Sequence, residues 1–89
     1  MEVNFKALVV EVAFDKFSEL DVAKDLGNYI HANTPDIGLD DVAREIYHSQ
    51  GTVEISAKHA DDIKDLVSSE RCMFVAAVKK AIIKELSKK

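Results

Sequence analysis

Val3 to Phe14 reads VNFKALVVEVAF, a Val- and Phe-rich run that makes the N-terminus of this 89-residue chain a strand. Its apolar residues change parity partway. Val3, Phe5, Ala7 and Val9 share one face, while Leu8, Val10, Val12 and Phe14 share the other. Such a switch means cover on both faces or a bulge that shifts the register. A doubly apolar strand wants a partner on each side, and so Phe5, Val10, Val12 and Phe14 are candidate interface residues.

The rest of the chain punctuates clearly. FSELDVAKDLGNYIHAN places Phe17, Leu20, Ala23, Leu26 and Ile30 at helical spacing. Ser18 with Asp21 resembles a capping box, which predicts a helix over 19–32. Gly27 within it costs roughly 1 kcal/mol against Ala and marks a close crossing with another element. Thr34-Pro35 ends that helix, because proline biases its predecessor away from the α region. A second helix follows over 39–49, with Gly38 as N-cap, Ile37 and Val42 as a hydrophobic staple, and Gly51 as the C′ glycine.

TVEIS alternates and predicts a strand over 52–56. Ser56 caps a third helix with Ala60, Ile63, Leu66 and Val67 on its inner stripe. A fourth helix is expected over 70–86. Phe74, Ala77, Val78, Ala81, Ile82 and Leu86 form its stripe, widened by Met73, Val75 and Ile83. A helix apolar over more than half its circumference is central or lies at an oligomer interface. Phe74, Val78 and Ile83 therefore join the candidate interface.

The expected architecture is a small single α+β domain of order β-α-α-β-α-α. The N-terminal strand pairs with 52–56, antiparallel by preference although parallel pairing is topologically allowed. About four helices cover one side, and the last few residues, about 87–89, fray. Two strands make a poor sheet alone, and their exposed edges invite a second copy.

Composition narrows the function. Apolar residues make up 47% and charged ones 31%, an ordinary globular balance. A core this small and poor in aromatics makes dimerisation a natural way to enlarge it. A single cysteine, Cys72, excludes an internal disulfide and suits a reducing cytosol. The N-terminus has no basic region or small-residue cleavage site, and no apolar run approaches the ~18–20 residues that span a bilayer. A cytoplasmic protein is expected.

Net charge is −4 but unevenly placed. Residues 1–70 hold 15 acids and 6 bases, whereas 71–89 hold 6 bases and one acid. Only the C-terminal helix, through Arg71, Lys79, Lys80, Lys84, Lys88 and Lys89, would attract a phosphate backbone. Lysines near a helix C-terminus are equally explained by the helix dipole. The acidic body supports a different alternative, a nucleic-acid mimic that occupies a basic partner.

Specific chemistry finds little support. His31, His48 and His59 lack metal-ligand spacing, and Cys72 has no neighbouring cysteine or histidine. Helix ends explain His31 and His48. Asp36, Asp40 and Asp41 do not follow the calcium-loop pattern. Their remaining functional role is a loop that a partner protein reads. No glycine-rich phosphate loop exists, and a helix-turn-helix alignment on Ala43 puts Tyr47 where the turn glycine belongs. No enzyme activity, cofactor, metal or small-molecule substrate is expected.

The combination VNFKALVVEVAFDKF, GNYIHANTPDIGLDDVAREIYHSQGTVEIS and VAAVKKAIIKEL resembles small proteins of unassigned function from bacterial prophages and other mobile elements. The likeness covers most of the chain and includes no functional motif. It implies an accessory protein that works by binding other proteins, in phage assembly or host takeover. The reading is a non-enzymatic, homodimeric interaction module, with a nucleic-acid accessory role for the basic helix as the alternative.

Overall fold

A computed structural model describes residues 1–88. The expected N-terminal strand divides in two. β1 (Glu2–Val3) pairs antiparallel with β4 (Val53–Glu54), with Glu2 opposite Glu54 and Val3 opposite Val53. The pairing direction is the one expected, over a shorter span. The chain terminus extends it: Ile55 N–H donates to the Met1 carbonyl at 2.7 Å, and the Met1 amino group donates to the Ile55 carbonyl at 2.8 Å. A turn at residues 4–7 then interrupts the strand. Ala7 N–H meets the Asn4 carbonyl at 3.4 Å, and Lys6 N–H meets the Asn4 side-chain oxygen at 3.0 Å. That turn explains the parity switch. Val3 is buried before it, Phe5 within it, and Leu8 and Val10 after it.

After the turn, β2 (Leu8–Ala13) and β3 (Lys16–Leu20) form a second antiparallel sheet, a hairpin the sequence reading did not contain. Leu8 faces Leu20, Val10 faces Ser18 and Glu11 faces Phe17. A register shift between Glu11 and Ala13 leaves Val12 as the extra residue of a bulge. Phe14 and Asp15 make the loop. Asp15 takes φ 63°, a left-handed conformation that aspartate tolerates better than most side chains, and its N–H donates to the Glu11 carboxylate at 3.0 Å. The order among the described residues is thus β-β-β-α-α-β-α-α, an α+β domain with two small antiparallel sheets.

Because Lys16–Leu20 is strand, Ser18 caps nothing and α1 (Ala23–Asn33) begins later than expected. Asp21 instead accepts from Ala23 N–H at 3.2 Å and from the Lys6 ammonium at 3.2 Å. Those two donors hold its carboxyl below the ordinary aspartate range, the backbone donor contributing most. Thr34 turns extended before Pro35 (ψ 136°) and ends α1.

α2 (Ile37–Tyr47) opens on Asp36, not Gly38. The Asp36 carboxylate accepts from Gly38 N–H at 2.9 Å, an N-cap that satisfies a donor left free by the helix start. Ile37 is 81% exposed, so no staple with Val42 forms. The α2 C-cap is His48, and Gly51 keeps an ordinary negative φ outside the helix, so it is not a C′ glycine. α3 (Ala57–Ser68) starts as expected: Ser56 Oγ accepts from His59 N–H at 3.2 Å.

The expected helix over 70–86 is shorter. Residues 69–75 form the loop, with Cys72 N–H on the Ser69 carbonyl at 3.0 Å, and α4 runs Ala76–Leu86. Ser87 Oγ donates to the Ile83 carbonyl at 2.7 Å and the Lys88 ammonium to Glu85 at 2.8 Å. The fraying expected at 87–89 concerns, in part, Lys89, which lies outside the described residues.

One core joins these elements. Phe5, Leu8, Leu26, Ile46, Ile63 and Ile82 are among its fully buried side chains, each contributing roughly 1.5–3 kcal/mol through removal from water. Val78, Ile82 and Leu86 occupy one i, i+4 row of α4 and are buried. Phe74, Ala77, Ala81 and Ile83 pack on that core half-buried. The apolar stripe of α4 itself is therefore turned mostly inward, against β2 and α3, while Met73 and Val75, expected to widen it, lie in the preceding loop and are exposed.

Candidate interaction surface

From Glu11 to Glu19 every residue of the hairpin is exposed. Its base is anchored by Leu8 and Val10, which enter the core on the side where β2 packs on α4. Beyond that base it projects as an arm. The arm carries Val12 at 52%, Phe14 at 90% and Phe17 at 65% exposure, and Val9 at its root is 53% exposed. Single exposed apolar residues are ordinary, but four large ones on one uncovered hairpin leave unusual apolar area in water. Opposite neighbours share a face in an antiparallel pair, so Val9, Glu11, Phe17 and Glu19 stand together on one side of the arm.

Of the candidate interface residues, Val12 and Phe14 lie on this arm and are open. Phe5, Val10 and Val78 are buried in the protein's own core and offer nothing to a partner. This corrects the expectation: the turn at residues 4–7 sends Phe5 inward, and the inner face of β2 takes Val10. Phe74 and Ile83 are half-buried against the same core, with the Phe74 ring edge-on to Tyr29 at 6.1 Å. Val9 and Phe17 went unrecognised in sequence. Phe17 fitted the helical spacing of Leu20, Ala23 and Leu26. The competing signal was the alternation of KFSEL.

The candidate partner-reading loop is mostly structural. Asp36 caps α2, Asp40 pairs with His31 Nδ1, and Asp41 is exposed. The His31–Asp40 pair spans α1 and α2 at the rim of an open cleft of about 170 Å³. Asn28, Arg44, Tyr47 and His48 also line it. The structure thus brings His31 and His48 to one cleft, while His59 stands apart on α3. Among the described residues no three His, Cys, Asp or Glu side chains gather as a metal-holding group.

The basic residues do not form one patch of free charge. The Lys79 ammonium donates to the Ser69 carbonyl at 2.9 Å and so closes the loop between α3 and α4. Arg71 lies in that loop, and Lys80 and Lys84 are exposed on α4. Cys72 is buried. It sits beside Tyr29, whose hydroxyl donates to the Leu66 carbonyl at 2.7 Å. Burial, then the Cys72 thiol, push the Tyr29 hydroxyl above its ordinary pKa.

No helix among the described residues is long and apolar enough to cross a membrane. No protein-family model, curated protein or solved structure matches the chain significantly. The arm, an exposed apolar element anchored on a packed domain, is the feature with the clearest capacity to bind.

Proposed function

We propose that this protein is a non-enzymatic interaction module of the reducing cytosol. It binds protein, in the first place a second copy of itself, and its contact element is the β2–β3 arm. The observation that carries this reading is the exposure of Val9, Val12, Phe14 and Phe17 on a hairpin with no helix over its distal half. Burying them on association removes apolar surface from water at roughly 25 cal/mol per Å² before the costs of association. A module of this kind fits the accessory role that the resemblance to prophage proteins implies. The nucleic-acid alternative draws less support, since Lys79 is engaged within the fold and the arm is acidic, with Glu11, Asp15 and Glu19 against Lys16.

Sedimentation velocity over a dilution series into the micromolar range tests the reading. Reversible self-association is expected, and Phe14→Ser with Phe17→Ser abolishes it while leaving the fold intact. A wild-type chain that remains monomeric throughout removes the main support.

A further inference from the structure

We infer, on the basis of the interaction-module reading, that the partner of the arm is a second copy of this chain, joined edge to edge through β3 with Ser18 on the two-fold axis. Among the described residues the outer edge of β3 is unpaired, because the sheet has only β2 and β3. An open edge is a template for another strand, and proteins usually blunt it with very short strands, charged side chains, proline or bulges. β2 carries such a bulge at Val12; β3 carries neither bulge nor proline, and its two charges, Lys16 and Glu19, are of opposite sign and can be matched across a pairing. A lone two-stranded hairpin is marginal in water, and the distal arm has no helix cover. Two copies joined at β3 form one continuous four-stranded sheet.

The charges select the register. A two-fold axis perpendicular to the sheet keeps every side chain on its own face, so it must pass between one residue of β3 and its own copy. Centred on Glu19, it sets Glu19 against the second copy's Glu19. Centred on Phe17, it sets Glu19 against the second copy's Asp15. Like charges directly opposite destabilise a sheet. Centred on Ser18, the opposed pairs are Ser18 with Ser18, Phe17 with Glu19, and Lys16 with Leu20, and no like charges meet within β3. Asp15 meets the second copy's Asp21 in that register, just as it meets Glu19 with the axis on Phe17, but the Asp21 carboxylate is already paired with the Lys6 ammonium, whereas Glu19 makes no ion pair among the described residues, so the Ser18 register carries the smaller repulsion. The two Phe17 rings then become diagonal neighbours on one face, within aromatic reach.

Disulfide trapping tests this geometry. Ser18→Cys in a Cys72→Ala background leaves position 18 as the single thiol. Directly opposed strand residues have Cα atoms about 4.5–5.5 Å apart, within disulfide range. Mild oxidation is expected to yield a covalent dimer, whereas Phe17→Cys, Lys16→Cys or Leu20→Cys alone links far less. Ser18→Lys places two ammonium groups at the axis and weakens dimerisation about fivefold. If sedimentation shows a dimer but the Ser18→Cys chain does not link, or Phe17→Cys links more readily, this pairing is overturned and the module reading stands. If the chain is monomeric and the thiol introduced by Ser18→Cys stays free, both are overturned. Open-ended oligomers in place of a dimer overturn the two-fold arrangement.

Discussion

Gly27 of α1 lies against Ala43 of α2 so closely that a Cβ at position 27 would stand 2.8 Å from the Ala43 carbonyl oxygen and 2.9 Å from Tyr47 Cβ. Both obstacles belong to the backbone or its first side-chain atom, so neither can swing aside. Here the glycine is required by close approach, and its helix-propensity cost is offset by the packing of α1 on α2. Gly27→Ala gains roughly 1 kcal/mol of helix propensity but forces the helices apart, and overpacking typically costs about 1–3 kcal/mol. Net destabilisation is expected, read as a lower urea midpoint at unchanged m-value.

On the arm, Phe14→Ser and Phe17→Ser separate association from stability. Both side chains are exposed and absent from the core cluster. Their replacement changes unfolding free energy by about 0.5 kcal/mol or less, the usual range for surface sites. Self-association is lost in the same proteins. Thermal melts of monomeric samples and sedimentation on matched stocks check the two halves.

Asp36→Ala removes the α2 N-cap and leaves Gly38 N–H without its side-chain acceptor. A loss of about 1 kcal/mol is expected by chemical denaturation, with self-association at the arm unchanged. A change in association without a change in stability would instead mark Asp36 as a contact residue.

Asp21 gives the stability a pH dependence. Ala23 N–H and the Lys6 ammonium favour its charged form and lower its folded pKa. Its contribution is therefore present above the unfolded aspartate pKa and is lost as pH falls through the lower folded value. The effect is small because the group is open to solvent. Asp21→Asn should reduce the acid-limb slope of stability against pH below about pH 4 and leave the neutral-to-alkaline limb unchanged.

Tyr29→Phe tests the buried hydroxyl. It deletes the bond to the Leu66 carbonyl while keeping the ring against Phe74, at a cost of about 1 kcal/mol. In the wild type Tyr29 should ionise at higher pH than an ordinary tyrosine, followed by absorbance titration against the Tyr29→Phe variant.

Much of this fold was legible locally. Thr34-Pro35 marks the end of α1, Ser56 the start of α3, and Gly27 the close crossing, because each signal acts through backbone conformation or a neighbour within a few residues. The α2 cap shifted from Gly38 to Asp36, since a carboxylate two residues ahead can accept the free N–H that glycine cannot. The arm was not legible. KFSEL satisfies a period of two, while Phe17 and Leu20 also satisfy the helical period of the residues that follow. Only pairing with β2 decides between them.

By itself the sequence determined the α+β class, a strand at the N-terminus with a partner strand around 52–56, and the helix–helix corner at Thr34-Pro35, while the antiparallel direction was only preferred and the structure supplied it. Those rest on propensity, caps and apolar periodicity, which are short-range. Tertiary structure alone decided that Phe5, Val10 and Val78 belong to the core while Val9, Val12, Phe14 and Phe17 face water. Whether an apolar side chain is buried depends on which element lies across from it, and no local spacing records that.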